Sequence, residues 1–244
     1  MAFALSSQRE LVSKPDAGVD TTLRAHARAA LRTAILNGQF VAGQKLVERE
    51  LCELTGVSRS ILREALVHLE VSGLIERESY RGFRVARLTR KKVCDIFELR
   101  VSLESQAAEL FTERASDAEI ANLRQAYNEI DQCLQIFEIG RMRAAKEAYF
   151  DVIFTGCRNV EIRRALSIVI DRIHYLRSRL IADPDRRRRS VPEIQRLTDA
   201  LAARDRLEAR VATVAHLESA RDAALKLLHR DGTLRPDGEE RDVT

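Results

Sequence analysis

The chain has 244 residues, of which 45% are hydrophobic and 32% charged, with ten glycines and four prolines. This length is enough for two domains, and the composition favours compact helical structure. No segment approaches the roughly eighteen uninterrupted apolar residues of a membrane helix, and the amino terminus lacks the pattern of a signal peptide. The sequence therefore predicts a cytoplasmic protein with no membrane partner.

The net charge of +4 is unevenly distributed along the chain. Residues 21–92 carry 14 Lys and Arg against 7 Asp and Glu, a net +7, whereas residues 93–244 carry 25 against 27, a net −2. A basic amino-terminal segment beside a near-neutral remainder favours electrostatic attraction to phosphates in one part of the molecule only.

Apolar residues at helical spacing predict a first helix from Leu23 to Leu36. A second predicted helix runs from Val47 to Leu54, and Thr55-Gly56-Val57 supplies a glycine where two packed helices change direction. A third opens at Ser58 as N-cap and covers Arg59 to Glu70 before Gly73 ends it. Together these elements predict a helix-turn-helix.

The third predicted helix has an apolar stripe and a separate basic face. The stripe consists of Leu62, Leu66 and Leu69, while Arg59 and Arg63, four residues apart, share a different face. A recognition helix contacts base edges and phosphates at this position, near its start. The alternative is that these arginines form an ordinary solvated face.

Two strand-like runs follow, Leu74–Arg77 and Gly82–Ala86, separated by a short segment with glycine at its end. A basic hairpin behind a helix-turn-helix predicts a wing. Six motifs in residues 21–90 then resemble the winged-helix domain of GntR-type bacterial transcription regulators: Leu31–Gly38, Ala42–Leu46, Glu48–Leu51, Gly56–Arg59, Leu62–Leu66 and Gly73–Ile75.

Two departures from the family pattern are visible, because Ala42-Gly43 replaces Pro-Gly and Ile61 replaces a proline. Neither removes a group that could contact DNA. By position, the resemblance assigns DNA contacts to the second helix, to the start of the third and to a wing tip. The predicted DNA-binding residues are Arg49, Ser58, Arg59, Ser60, Arg63, Arg81 and Gly82.

From Lys91 onward the sequence reads as successive amphipathic helices. The first carries Val93, Ile96, Arg100, Leu103, Ala107 and Leu110 in one stripe, and the second opens with the capping box Ser116–Glu119. The next two are predicted at Arg141–Cys157 and Val160–Ala182. A loop, Asp183–Arg189, then precedes helices with capping boxes at Ser190–Glu193 and Asp205–Glu208.

The predicted fold class is mainly α, with a winged helix-turn-helix followed by an antiparallel bundle of about six to seven helices. The predicted domains are 20–90 and 91–230. Residues 1–19 and 231–244 lack apolar periodicity and are predicted to be disordered. The widely spaced Cys52, Cys94, Cys133 and Cys157 contain no C-x-x-C pair and are predicted to be buried free thiols.

A winged helix followed by such a bundle resembles the FadR branch of the GntR family, whose carboxy-terminal FCD domain binds a small effector and forms the dimer. Leu99–Glu104 with Ala107-Ala108, then Asn159 and His216, stand where that family places similar residues. The resemblance implies a homodimer that binds double-stranded DNA.

Many FCD domains hold a divalent metal, and the resemblance places the ligand positions at Lys146, Phe150, Ile194 and His216. Only the last is a metal ligand, and such sites need three or more donors. The sequence therefore predicts neither a metal nor another cofactor.

A lysine in place of an acidic ligand suggests a different effector chemistry. Lys146 and Arg100 would place two positive charges near Phe150 and Ile194, so that an anion, such as a carboxylate, could be bound directly. The alternative is a degenerate site in which Lys146 reaches solvent while Phe150 and Ile194 fill the former cavity. The predicted effector-binding residues are Arg100, Lys146, Phe150, His174, Arg177, Ile194 and His216.

For two groups of residues in the bundle, a simpler interpretation competes with a binding role. His174 and Arg177 could face the pocket, but a histidine beside an apolar stripe is often a packed or rim residue. The run Arg186–Arg189 could contact DNA phosphates or an acidic partner, but it is predicted to lie solvated in an interhelical loop.

The resemblance implies a sequence-specific transcription regulator, a repressor, that binds a palindromic operator as a homodimer and responds to a small anionic metabolite. A helical-bundle enzyme is disfavoured because none of the five histidines is paired at helical spacing and no G-x-S-x-G motif is present. A dimeric DNA-binding protein with a vestigial, ligand-unresponsive sensor domain remains the alternative.

Overall fold

A computed structural model describes residues 17–78, 82–136, 138–232 and 234, with the backbone alone at 17–21, 135, 136 and 139. The first helix begins at Ala17, so the last three residues of the predicted disordered arm are helical. Residues 1–16 lie outside the described residues, as does most of the predicted disordered tail. The beginning of that tail is packed, because Leu234 contacts the core.

The amino-terminal part is a winged helix-turn-helix. Its elements are α1 (Ala17–Leu36), β1 (Lys45–Leu46), α2 (Glu48–Thr55), α3 (Arg59–Val71), β2 (Ile75–Glu78) and β3 (Gly82–Val85). The strands form an antiparallel sheet in the order β1-β3-β2. Strand β1 was not predicted, because two residues are too few to show alternation; its Leu46 pairs with Phe83 of β3.

Helix α3 packs as its sequence predicts, since Leu62, Leu66 and Leu69 are fully buried. The turn before it depends on Gly56, which caps α2 with a φ of 70°. Gly73 has a φ of 74° directly after α3. Both are left-handed conformations that favour glycine, so the two ends that orient α3 are fixed locally.

Six further helices form the bundle in the described part of the chain. They are α4 (Arg90–Arg114), α5 (Asp117–Ile136), α6 (Ile139–Gly156), α7 (Val160–Ala182), α8 (Pro184–Ala202) and α9 (Arg206–Arg230). Helix α4 packs against α6, α7 and α9, and α8 packs against α5 and α9. The predicted fold class, mainly α with a winged helix followed by a helical bundle, is confirmed.

Side-chain caps account for several helix starts. The Ser116 and Glu119 side chains each accept a hydrogen bond from the other residue's backbone N–H, which is the predicted capping box. Asn159 accepts from the first amides of α7, whose bounds match the prediction. Asp205 likewise accepts from Glu208 N at the start of α9.

The prediction of a loop at Asp183–Arg189 is wrong, because Asp183 caps α8 and the residues after it form the first turns of that helix. Asp183 is the N-cap and accepts from the Arg186 N–H, and Pro184 occupies the first helical turn, where its missing N–H costs nothing. Ser190 is therefore an interior helical residue, and its hydroxyl donates to the Arg187 carbonyl instead of capping.

The winged helix contacts the bundle through α1 and α7. Arg32 Nε donates to Asp171 Oδ1 at 2.6 Å, and Arg32 Nη2 lies 2.7 Å from His174 Nδ1. Arg143 of α6 also donates to the Asn37 side chain beyond the end of α1.

Two properties bear on the chemistry of the whole chain. All four cysteines are free: Cys133 and Cys157 are buried, whereas Cys52 and Cys94 are half-buried. Within the described ranges, none of the helices combines the length and the apolar character that crossing a bilayer requires.

Candidate nucleic-acid interface and effector site

The exposed face of α3 carries the two arginines that the sequence assigns to DNA. Arg59 is exposed, and among the residues that the structure describes none forms a hydrogen bond or ion pair with its side chain. Arg63 is also exposed, but its Nε donates to both carboxylate oxygens of Glu48 on α2, at 3.0 and 3.2 Å. Arg59 is thus free to bind DNA, whereas Arg63 must exchange a carboxylate for a base or phosphate.

Helix α2 contributes Arg49, which is exposed and lies 3.6 Å from Glu53 one turn further on. A solvated pair of this kind contributes little free energy, so it leaves the guanidinium available to a phosphate.

The start of α3 is uncapped. Ser58 is the N-cap residue, as predicted, but its hydroxyl accepts no hydrogen bond from a backbone amide of the helix and lies 3.2 Å from the Ser60 hydroxyl. The first amides of an uncapped helix, with its positive dipole end, form a ready binding site for a phosphate. Ser58 and Ser60 therefore lie beside such a site.

The wing is described on both sides of its tip. Gly82 is exposed with a φ of 87° and pairs with Glu78 across the hairpin. Arg81 lies outside the described residues, so its predicted contact stays a prediction. Next to the tip, Arg77 lies over the Phe83 ring at 4.8 Å.

The bundle contains a group of buried basic side chains that we call the cation cluster: Arg100, Lys146, Arg177 and Arg186. Each is at least nine-tenths buried, and they come from α4, α6, α7 and α8. Charges removed from water to this extent are costly unless they are paired.

Two carboxylates pair with part of the cation cluster. Glu104 accepts from Arg100 Nε at 2.6 Å, and Glu193 Oε2 lies 2.7 Å from both Arg186 Nη2 and His216 Nδ1. Although burial raises the pKa of Glu193, hydrogen bonds from His216 and Arg186 lower it to about 2. Burial lowers the pKa of His216 to about 4, so that this imidazole is neutral at pH 7.

Lys146 is buried, and its Nζ donates to the Ser190 hydroxyl at 2.7 Å. Burial, with the nearby Arg186 and Arg177, lowers the pKa of this ammonium group to about 7. The alternative in which Lys146 reaches solvent is therefore wrong.

Several donors of the cluster lack an acceptor. Arg186 Nη1 is buried and has no hydrogen-bond partner in the described part of the chain. Arg177 makes no hydrogen bond there either; its guanidinium stacks on the Phe150 ring at 4.4 Å. Burial and the neighbouring Arg100 lower the pKa of Arg177 to about 10. Positive charge thus exceeds negative charge, and the surplus donors point to an anion.

A central cavity of about 30 Å³ lies among these groups. Five of the seven predicted effector-binding residues line it, namely Arg100, Lys146, Phe150, Arg177 and His216. Ile194 is fully buried in the hydrophobic core and does not line the cavity. One residue further back, Glu193 reaches His216 instead.

His174 lines a second cavity, of about 430 Å³, between α6 and α7, which we call the side cavity. Its Nδ1 lies 2.8 Å from Glu147 Oε1 and 2.7 Å from Arg32 Nη2. Burial lowers the pKa of His174 more than the hydrogen bond to Glu147 raises it. His174 therefore belongs to the rim that contacts the winged helix.

Sequence reasoning missed Arg186, Ser190 and Glu193 as components of the site, because it placed them in a loop and a cap. The signal that could have found them is Asp183-Pro184, a strong helix start. A helix begun there buries Arg186 while Arg188 and Arg189 stay exposed.

The residues present do not fit the metal that many FCD domains hold. Lys146 is a cation, Phe150 and Ile194 have no donor, and His216 Nδ1 is engaged by Glu193. In the described part of the chain no three His, Cys, Asp or Glu side chains are grouped for a metal. Direct binding of an anion is the chemistry that these side chains support.

A winged helix with an arginine-bearing recognition helix, joined to a helical bundle with a buried polar site, defines a DNA-binding regulator with a sensor domain. Comparison with protein families agrees: residues 23–85 match the family described as bacterial regulatory proteins, gntR family, and residues 95–219 match the FCD domain. The chain belongs to the GntR family of bacterial transcriptional regulators and carries an FCD effector-binding domain.

Individual relatives are named as regulators too. The chain is 30% identical over 189 residues to the Nta operon transcriptional regulator of Aminobacter aminovorans, covering 78% of this chain and 88% of the relative. It is 28% identical over 190 residues to the uncharacterized HTH-type transcriptional regulator YdhC of Bacillus subtilis, covering 76% and 84%.

Solved structures share the fold. A putative GntR transcriptional regulator from Rhodococcus sp. RHA1 has a TM-score of 0.73 at 20% identity, covering 88% of this chain and all of that one. E. coli McbR/YncC has a TM-score of 0.70 at 18% identity, covering 86% and 98%. At these identities the likeness shows the fold alone.

Proposed function

We propose that this regulator is a homodimeric repressor. Each winged helix reads one half of a palindromic operator, and a small anion in the bundle changes operator affinity. In this proposal residues 20–90 bind DNA and residues 91–230 bind the effector and form the dimer. The observation that carries the DNA-binding part is the exposed pair Arg59 and Arg63 on α3.

The DNA contacts divide into two kinds. Arg59 and Arg63 are offered to base edges, where an arginine can donate two hydrogen bonds to guanine. The uncapped start of α3 with Ser58 and Ser60, Arg49, and the wing residues Arg81 and Gly82 are offered to the backbone. A basic segment of net +7 supplies the attraction that does not depend on base sequence.

Two-fold symmetry connects the dimer with the operator. A homodimer with a two-fold axis presents two identical recognition helices, and these match two identical half-sites related by the same axis. Repression follows if the free dimer holds its winged helices at the operator spacing and the effector favours another placement.

The effector proposal rests on the surplus donors of the cation cluster. Arg186 Nη1 is buried without an acceptor, the Arg177 guanidinium makes no hydrogen bond within the described residues, and Lys146 donates to the Ser190 hydroxyl. A carboxylate accepts several hydrogen bonds at once and neutralises the excess charge. Its differential binding to one arrangement of the dimer supplies the regulation.

A vestigial sensor is the second candidate, and the small central cavity favours it. A volume of about 30 Å³ holds only a few atoms, which is much less than a metabolite needs. In that case Phe150 fills the former site and the protein binds DNA without responding to a ligand.

The experiment that tests the proposal selects operators from a random DNA pool and measures affinity by gel shift with and without a panel of small carboxylates. We expect palindromic selected sequences, a dimer in sedimentation, and a loss of operator affinity with at least one carboxylate. Non-palindromic sequences bound by a monomer would overturn the dimer. If no carboxylate changes affinity, the vestigial sensor is the correct reading.

A further inference from the structure

We propose that the effector is a monocarboxylate with an apolar body, whose carboxylate binds in the cation cluster and whose body fills the side cavity. This inference rests on the proposed function and deepens it, because it specifies what the carboxylate is attached to.

The volumes of the two cavities require a ligand that spans both. The central cavity of about 30 Å³ admits a headgroup only, whereas pockets for small molecules measure roughly 300–1,000 Å³. The side cavity, at about 430 Å³, falls in that range. A ligand that uses the surplus donors of the cation cluster must therefore keep most of its atoms in the side cavity.

The same two side chains, Phe150 and Arg177, line both cavities. Phe150 stacks toward His216 on the cluster side and toward Phe154 on the other, with ring centroids 6.2 Å apart in each case. The Arg177 guanidinium lies on the Phe150 ring and makes no hydrogen bond within the described residues. The proposed ligand spans both cavities if a change of rotamer at either position opens a passage, and its carboxylate then supplies the acceptor that Arg177 lacks.

The lining of the side cavity suits an apolar body. Phe150, Phe154, Leu166 and Ile170 form its walls. Its charged residues are largely paired with each other: Arg163 donates to Asp151 at 2.8 Å on the exposed rim, and His174 lies 2.8 Å from Glu147. The surplus hydrogen-bond donors are at the cluster end, so one end of the ligand is anionic and the other apolar.

The net charge of the cation cluster favours a ligand with a single negative charge. Three arginines face the central cavity, and two carboxylates, Glu104 and Glu193, offset two of these charges. Before a ligand binds, Lys146 carries only a partial charge near pH 7, because its pKa is about 7. A planar carboxylate also has fewer atoms than a phosphate, which suits the small volume.

The test is titration calorimetry of the full chain with phenylacetate and octanoate as probes. Acetate, citrate, phenyl phosphate and the neutral phenylacetamide are the comparison ligands. We expect at least tenfold tighter binding of a probe than of acetate or citrate, and no binding of the amide. The difference in affinity between a probe and acetate shows what the apolar body contributes. The difference between phenylacetate and phenylacetamide shows what the negative charge contributes.

Two substitutions on α7 form a matched pair. Ile170→Trp places a larger side chain in the side cavity at a position outside the cation cluster, whereas Ile168→Trp places the same group on the exposed side of the helix. We expect Ile170→Trp to weaken probe binding at least tenfold and Ile168→Trp to bind as the unmodified protein does. Arg186→Met is expected to weaken the binding of every carboxylate tested. Arg186→Lys takes its place if the first variant does not fold.

The outcomes separate the two proposals. The proposal of an apolar body is overturned if citrate or acetate binds as tightly as the probes and Ile170→Trp has no effect. If Arg186 is still required in that case, the proposed anion sensor stands. Tighter binding of phenyl phosphate than of phenylacetate overturns the carboxylate. If the folded protein binds none of these anions, the effector part of the proposed function fails as well.

Discussion

The arginines of α3 differ in how they are held, although the sequence presents them as equivalent. Arg59 has no partner in the described part of the chain, whereas Arg63 is held by Glu48 of α2. Glu48 thereby orients Arg63 before DNA arrives, at the cost of an ion pair that must be exchanged. An exposed pair of this kind is weak, so the exchange costs little.

We predict that Arg59→Ala and Arg63→Ala each lose about 1–3 kcal/mol of discrimination between the operator and unrelated DNA. Dimerisation should be unaffected, because both side chains are exposed. Fluorescence anisotropy with selected and scrambled duplexes measures the loss. Arg124→Ala, an exposed arginine on α5, is the control; discrimination that stays unchanged in both α3 variants would contradict the assignment.

In the proposed effector site, Lys146 is expected to make binding of an anion depend on pH. Its pKa of about 7 reflects burial and the nearby cations Arg186 and Arg177. The ionisable groups that surround it from the other helices are Arg100, Arg177, Arg186, Arg187, Glu193 and His216. Of these, His216, Glu193 and Arg177 have pKa values of about 4, 2 and 10, so Lys146 is the group that titrates near neutrality.

A bound carboxylate stabilises the ammonium form and raises the pKa of Lys146, so binding takes up a proton. Affinity is therefore expected to be highest near and below pH 7 and to fall by up to about tenfold for each pH unit above it. Calorimetry with phenylacetate in buffers of different ionisation enthalpy counts the protons. Lys146→Met should abolish the uptake, and an unmodified protein that takes up no proton at pH 7.5 would refute this role.

At the scale of elements, the contact between α1 and α7 joins the winged helix to the helical bundle. Arg32 of α1 reaches Asp171 and His174 on α7, and His174 pairs with Glu147 on α6. His174 and Glu147 both line the side cavity. A ligand in that cavity therefore lies one residue away from a side chain of the winged helix, which is a direct physical route for coupling.

We predict that Arg32→Met preserves effector affinity but reduces the change in operator affinity that the effector causes. The substitution removes the ion pair with Asp171 and the contact with His174 while it keeps an apolar stem on α1. Gel shifts with and without phenylacetate give the ratio of the two operator affinities. Arg28→Met, exposed one turn earlier on α1, is the control, and equal ratios in both variants would show that coupling takes another route.

Helix α8 shows where local patterns mislead. Four consecutive arginines suggested a solvated loop, and Ser190 with Glu193 suggested a cap. The actual start is Asp183-Pro184, and the helix then turns Arg186 inward and Arg188 outward. Burial of Arg186 is tolerated because Glu193, two turns further along, supplies a carboxylate at 2.7 Å.

At the scale of the whole molecule, the proposed dimer determines the geometry of the operator. Two recognition helices related by a two-fold axis bind half-sites about one helical turn, or a multiple of it, apart. Inserting about five base pairs between the half-sites places them on opposite faces of the duplex. Inserting about ten base pairs returns both half-sites to the same face.

We predict that a half-turn insertion weakens binding at least tenfold, and that a full-turn insertion recovers part of the loss. A duplex with one half-site should bind as weakly as the half-turn variant. Gel shift and sedimentation of the protein on each duplex provide the measurement. Equal affinity for all spacings would mean that the two winged helices are independently tethered.

The sequence by itself determined the order of the helices, the basic face of α3 and the two strands of the hairpin. These follow from local rules, because periodicity, capping residues and turn glycines act within a few positions of one another. Asn159 at the start of α7 and Gly56 at the end of α2 are examples in which a residue type set a helix boundary.

Only the tertiary structure decided which side chains form the effector site. The cation cluster joins residues from four helices, and Glu193 rather than Ile194 reaches His216. A rotation of one helix by a single residue exchanges these two neighbours, and that rotation is fixed by packing against α5 and α9, which no local pattern encodes. The separation of the small central cavity with its cation cluster from a larger, more apolar cavity by Phe150 and Arg177 has the same origin.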